Sequence, residues 1–280
     1  AGGLIDSEAT AGTTAGVRFV NGVSFQGTLN NAGTISGVNN GLYFGNPTPA
    51  GGADHTGGVV NNLSGGVISS DSRALNIDGT GLVVNNSGSI LGTGDQRNGT
   101  VYFDGTTQGA TFNNEVGGVV DAGAGNSGSG VSIEVDADNT LRSHIVTNSG
   151  VIQGRGNALP SGATSGVRVF GGDNTMALAD VDITNNAGGI ISSETSEGIL
   201  IEGITFSGDI VNNGDISGAS AAIDTRTALG DITIEQGNGS LTGGVFTGVG
   251  NDTVNITGLA LIDGDIDLGA GMNSVNVQNL

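Results

Sequence analysis

The chain has 280 residues, of which 55 are glycine and 3 proline, with no cysteine and no tryptophan. Charged residues are 12%, about half the usual ~25%, yet the formal net charge is −20, because 20 Asp and 7 Glu face 7 Arg and no lysine. That balance excludes nucleic-acid partners and anionic membrane surfaces; zero cysteine excludes disulfides and thiolate sites; and no apolar run reaches the ~18 residues of a spanning helix, so no direct membrane insertion is expected.

Two short phrases recur along the chain. Gly16-Val17-Arg18-Phe19 opens the series as a strand of alternating character. Asn30-Asn31-Ala32-Gly33-Thr34-Ile35-Ser36-Gly37 follows, then Gly41-Leu42-Tyr43-Phe44. The Asn phrase returns at 61–68, 85–92, 113–114, 147–154, 185–186 and 212–218, with successive starts 31, 24, 28, 34, 38 and 27 residues apart. The small–apolar–x–apolar phrase returns as Ala74-Leu75-Asn76-Ile77, Thr100-Val101-Tyr102-Phe103, Gly130-Val131-Ser132-Ile133, Gly166-Val167-Arg168-Val169, Gly198-Ile199-Leu200-Ile201 and Ala222-Ile223-Asp224. Weaker echoes stand at Gly239-Ser240-Leu241-Thr242-Gly243 and Gly264-Asp265-Ile266-Asp267.

Both phrases alternate with period two, which predicts strands. A third strand, as in Thr111-Phe112 or Ile204-Thr205-Phe206, leads into each Asn pair. Three strands and three turns in 24–38 residues predict one coil of a right-handed parallel β-helix (an all-β, β-solenoid fold). About nine to ten coils at ~4.8 Å give a rod of roughly 45 Å. No coil alone buries its apolar residues, whereas stacked coils form one continuous core. The chain therefore reads as a single solenoid domain over 1–280, with divergent coils over 245–280 and extra residues at 46–57 and 156–165 expected as corner loops.

The recurrent Asn is expected to be structural. Equivalent positions of a solenoid stack, so Asn31, Asn62, Asn86, Asn114, Asn148, Asn186 and Asn213 are predicted to form an amide ladder. His55 falls in a Gly-rich loop and is expected to be solvated, while His144 opens a strand, and neither has partners at a catalytic spacing. Asp136 and Asp138, Asp180 and Asp182, and Asp263, Asp265 and Asp267 recur at i, i+2, which places each set on one outward strand face. Such acids serve glycoside hydrolysis or calcium binding, but the chain lacks aromatic platforms for sugars. Thr-x-Thr occurs once, at Thr225 and Thr227, too little for an ice-binding array. Thr247-Gly248-Val249-Gly250-Asn251-Asp252-Thr253-Val254-Asn255 resembles the calcium-binding nonapeptide of RTX proteins, with a second echo at 269–275. Asp252, Asp263, Asp265 and Asp267 are therefore the candidate metal ligands, with calcium the only cofactor in view.

The Asn-Asn-x-Gly-x-Ile-x-Gly phrase, the Gly-Val/Ile-x-Val/Ile phrase and the tail Gly264-Asp265-Ile266-Asp267-Leu268-Gly269-Ala270-Gly271 resemble the passenger regions of bacterial autotransporters and filamentous-haemagglutinin-like exoproteins. The resemblance implies export to the Gram-negative cell surface or beyond. With no membrane barrel and no leader before Ala1, a processed product or a piece of a larger protein is expected. The leading functional expectation is a non-enzymatic structural or adhesive rod: a spacer, an adhesin or a fibre subunit stacking end to end through open strand edges, with cell-surface or matrix polysaccharide as a second partner. Adhesive specificity is expected in corner loops 46–58, 93–99, 122–129 and 155–165. The alternatives are a β-helix polysaccharide lyase or glycoside hydrolase, and a calcium-dependent matrix module.

Overall fold

Short runs such as Val-Val-Asn-Asn and Ser-Ile-Leu-Gly are too brief to bury themselves and too β-branched for helix, so they persist only by pairing with the next copy. A computed structural model describes residues 4–7, 15–19, 23–45, 54–92, 99–123, 128–136, 140–156, 164–171 and 177–278, and all thirty of its regular elements are strands. Every ladder between them is parallel, and the thirty strands fall into ten consecutive triplets, one per coil. The expected parallel β-helix is the observed fold.

The first sheet carries the strand after each Asn, for example Thr34–Gly37, Val67–Ser70 and Ser89–Gly92. Its inward column runs Ile35, Ile68, Ile90, Val120, Ile152, Ile191, Ile216, Leu241, Ile262 in unbroken register. The second sheet carries the small–apolar–x–apolar phrase, with Leu42, Leu75, Val101, Val131, Val167, Ile199 and Ile223 stacked inward. The third leads into the Asn position and stacks Val60, Val84, Phe112, Val146, Ile183, Ile210 and Ile234. The second and third sheets join where Glu197–Ser207 runs unbroken round the corner and pairs with strands of both. The three columns make the core, and most of their members have no solvent exposure.

The "small" position of the second phrase has a steric cause. A Cβ on Gly166 would sit 2.7 Å from the Gly198 carbonyl oxygen of the next coil and 2.7 Å from Ile191 Cγ2 of the first sheet. The turn after each Asn alternates between two forms. After Asn31, Asn86, Asn148 and Asn212 the chain steps directly into the first sheet. After Asn62, Asn114 and Asn185 it inserts a turn closed by a bond such as Gly118 N–H to Glu115 O at 2.8 Å. Gly117 there has φ +83°, the left-handed geometry of the third residue in a type II turn.

The C-terminal stretch over 245–278 continues the same three sheets with shorter coils, its stacked side chains separated by only 20 or 21 residues. That coil length accounts for the spacing of the two Gly/Asp echoes: Gly250 and Gly271, and Asp252 and Asn273, occupy one corner in successive coils.

Candidate functional site

Each of the first eight strands of the third sheet ends with one amide pointing inward and, in the early coils, one pointing outward; Ile256 and Val277 take the inward place in the last two. The inward amides form a continuous ladder, with Nδ2 of each coil donating to the oxygen of the next: Asn31 to Asn62, Asn62 to Asn86, Asn86 to Asn114, Asn114 to Asn148, all at 2.8 Å. It continues from Asn148 to Asn185 at 2.8 Å, Asn185 to Asn212 at 2.9 Å and Asn212 to Gln236 Oε1 at 2.8 Å. The expected members Asn186 and Asn213 are therefore corrected to Asn185 and Asn212. Asn148 follows a threonine, and its register partner is Asn185, so from that coil onward the first Asn of the pair is the buried one. Asn186 lies outside the column and reaches Ser149 Oγ instead. A second, outward ladder of opposite polarity joins Asn113 to Asn85, Asn85 to Asn61 and Asn61 to Asn30.

The carboxylates proposed for calcium do not converge. Among the described residues no group of three His, Asp or Glu is placed to hold a metal ion. Asp263 closes a strand of the first sheet and Asp267 lies in the second, with Gly264 and Asp265 at the corner between them, so the three do not share a strand face as expected. Asp252 is buried and used as a staple: its Oδ1 accepts the Ile232 N–H at 2.9 Å, and its own N–H donates to Asn273 Oδ1 at 2.9 Å. Of the i, i+2 pairs, Asp180 and Asp182 do share one strand's outward side, while Asp138 lies outside the described residues.

Both histidines are interior. His55, expected in solvent, is fully buried, accepts the Phe25 N–H on Nδ1 at 3.1 Å and sits edge-on to Phe44. Asp54 bridges Thr80, and the His55 N–H bonds the Thr80 carbonyl at 2.8 Å, a pairing that glycine content alone does not reveal. His144 packs against Phe103, and neither ring nitrogen has a hydrogen-bond partner. Burial, reinforced by the Arg142 charge, lowers its pKa to about 4.

The chemistry instead gathers on the outward side of the second sheet. The x of small–apolar–x–apolar stacks as Arg18, Tyr43, Asn76, Tyr102, Ser132, Arg168, Leu200 and Asp224. Pleating turns these side chains away from the core, yet Asn76, Tyr102, Ser132, Arg168 and Asp224 are all buried, so the face is recessed. Four of the seven arginines lie over aromatic rings there: Arg18 on Tyr43 at 5.3 Å, Arg73 on Tyr102 at 4.1 Å, Arg168 on Phe170 at 4.0 Å and Arg226 on Phe246 at 4.9 Å. Stacking fixes a guanidinium while leaving its edge N–H groups to meet planar anions, which at Arg168 and Arg226 are the carboxylates of Glu202 and Asp224.

Acids line the downstream border of this face. Tyr102 donates its hydroxyl proton to Glu134, and burial together with that carboxylate holds the phenol well above its usual pKa. Arg168 Nε donates to Glu202 Oε1 at 2.7 Å. Burial and the nearby charges of Asp78, Glu134 and Asp136 push Asp104 up to about 6. At the upstream end, Ala15, Arg18, Asn40, Tyr43, Arg73 and Asn76 line a cavity of about 200 Å³. Reading the x residues as one column would have gathered these side chains from the sequence, where the arginines look scattered. The corner loops expected to carry specificity lie largely outside the described residues. No protein-family model, curated protein or solved structure matches the chain.

Proposed function

We propose that this protein is an exported, non-enzymatic rod that engages anionic or neutral polysaccharide along the recessed face of its second sheet. The observation that carries this is the column of aromatic-stacked arginines and tyrosines on one side of an otherwise acidic solenoid. Polymers are bound well by surfaces of matching length, and a ladder-braced stack supplies a face whose spacing is fixed coil by coil. The likeness of the repeat phrases to autotransporter passengers supports export and a cell-surface or matrix setting. The decisive experiment immobilises the purified chain, passes a panel of acidic and neutral polysaccharides over it, and assays the same mixtures for new reducing ends and unsaturated products. Retention without cleavage is expected; no retention by any polymer overturns the reading.

Asp104 favours a second reading. A carboxyl held near pH 6 beside Asp78, Glu134 and Asp136 has the proton affinity of a general acid in glycoside cleavage. Cleavage products that disappear in Asp104→Asn would establish that reading in place of the first.

End-to-end stacking rests on the last coil. Val275 and Val277, which stack on the buried Val254 and Ile256, are 46% and 51% exposed beside a strand edge with no described partner. A second copy of the chain in the same register would cover them and complete the ladders. Sedimentation velocity over a concentration series tests this: growing rods are expected, and their persistence in a Val275→Asp, Val277→Asp double variant would refute stacking through this edge.

A further inference from the structure

We infer that the cavity between Arg18, Tyr43, Asn40, Arg73 and Asn76 binds a single acidic sugar unit, with a carboxylate on the arginines and hydroxyls on the two asparagines. The site is assembled from three successive coils. Arg18, Tyr43 and Asn76 are register partners in one outward column, and Ala15, Asn40 and Arg73 are partners in the column beside it. Two guanidinium groups thus face one recess in a chain whose net charge is −20. Arg73 is pinned on the Tyr102 ring, and no ion pair of Arg73 occurs among the described residues. The cation pair selects an anion.

The asparagines select what kind. Asn76 is 6% exposed, yet its Oδ1 has no hydrogen-bond partner, and Asn40 Oδ1 is likewise buried and unpartnered. In the inward and outward ladders of the third sheet each Asn passes its bond to an amide of the neighbouring coil. Asn76 cannot do so, because its register partners are Tyr43 and Tyr102. Two buried, unpartnered acceptors on residues that line the cavity call for hydrogen-bond donors. Inorganic phosphate or sulfate satisfies the arginines but brings few or no donors at neutral pH. A hexuronate or sialate brings a planar carboxylate, matched to a guanidinium fork, and several hydroxyl donors. The volume of about 200 Å³ is below the ~300–1,000 Å³ of sites for drug-sized ligands, which suits one sugar ring.

This inference rests on the second sheet being a glycan-binding face and narrows it to one place and one sugar chemistry. The test is calorimetric titration of the full chain with trigalacturonate, N-acetylneuraminate, maltotriose and sodium phosphate. The variants are Arg73→Gln and Asn76→Leu, with Asn113→Ala on the third sheet as a folding control. Binding of trigalacturonate or N-acetylneuraminate is expected, the two arms telling uronate from sialate. Arg73→Gln and Asn76→Leu should each weaken it at least tenfold, whereas Asn113→Ala leaves it unchanged. Phosphate binding as tight as the acidic sugar, or acidic-sugar binding indifferent to both variants, overturns the inference. Polysaccharide retention that survives in both variants sinks the pocket alone; absence of retention in every form sinks the broader reading with it.

Discussion

Replacing Asn114 by alanine should destabilise the middle of the rod far more than replacing its neighbour Asn113. Asn114 is 1% exposed; its Nδ2 donates to Asn148 Oδ1 at 2.8 Å and to the Gly118 and Val151 carbonyls at 3.2 and 3.1 Å, and its Oδ1 accepts from Asn86 at 2.8 Å. Its two amide protons and its oxygen amount to three bonds, at about 1 kcal/mol net each. The partners left behind are partly rescued, since Asn86 keeps the Val119 carbonyl and Asn148 Oδ1 keeps the Gly150 N–H. The orphaning penalty is therefore at the low end, about 1 kcal/mol, for a total of about 3–4 kcal/mol. Asn113 lies on the solvent side with one ladder bond, to Asn85 at 2.9 Å, which water largely replaces; about 0.5 kcal/mol is expected. A solenoid opens in coil-sized units, so a global melt blurs this contrast and amide hydrogen exchange resolves it. The turn amides of Glu115 and Ser149, bonded to the Asn86 and Asn114 carbonyls, should exchange about two orders of magnitude faster in Asn114→Ala. Equal exchange in the two variants would refute the ladder as a stabilising element.

The corrected register predicts that Asn185→Ala costs about as much as Asn114→Ala, while Asn186→Ala, losing one half-exposed bond to Ser149, costs under about 1 kcal/mol in urea titrations. Adjacent glycines separate two kinds of strain in thermal melts. Gly117→Ala meets no atom within 4 Å and pays only for φ +83°, about 1–2 kcal/mol. Gly118→Ala would place its Cβ 2.2 Å from the Asn86 carbonyl oxygen, so it should lose more, with local distortion of two coils. His144 titrates near 4 when folded and near 6.5 when unfolded. Between those values the unfolded chain binds more protons, so stability falls as pH drops from about 6.5 to 4, by up to about 3 kcal/mol. His144→Leu should therefore gain on the wild type through that window, and a pH-independent difference would contradict the assignment. Because Asp252 Oδ1 is already held by the Ile232 N–H and no acids converge among the described residues, EDTA is expected to leave the melting temperature unchanged; a downward shift would restore calcium as a structural ion.

The fold was legible because its two phrases are consequences of stacking. Small residues mark where the Gly198-type carbonyl and the first-sheet isoleucine approach, and Asn marks a site where an interior amide can be satisfied only by its copy one coil away. The ladder's register at 185 and 212 was not legible from the Asn pairs, because either Asn of a pair satisfies the same pattern. What separates them is the count from Asn to the first inward Ile, which includes the inserted type II turn after Asn185. His55 was misjudged because local glycine content says nothing about which residues a coil brings back over the core. The face proposed for binding was in plain sight as the x of the second phrase, but a repeat is recognised by what recurs, and this column is what does not.

That difference has a physical basis. An inward ladder residue has two neighbours of the same kind, so changing it breaks bonds in two coils at once, and the column is held to one chemistry. An outward x residue of the second sheet touches its neighbours through rings and guanidinium planes that tolerate exchange, as Arg, Tyr, Asn, Ser, Leu and Asp in one register attest. If the second sheet binds glycan as proposed, stability and recognition are written on separate columns of the same coil. A chain built this way can vary its outward column, one coil at a time, without reopening its core. Within so acidic a protein the stripe is held in more than one way: Arg73 lies on the Tyr102 ring of the next coil, whereas Arg168 and Arg226 combine a ring with a carboxylate, Glu202 and Asp224.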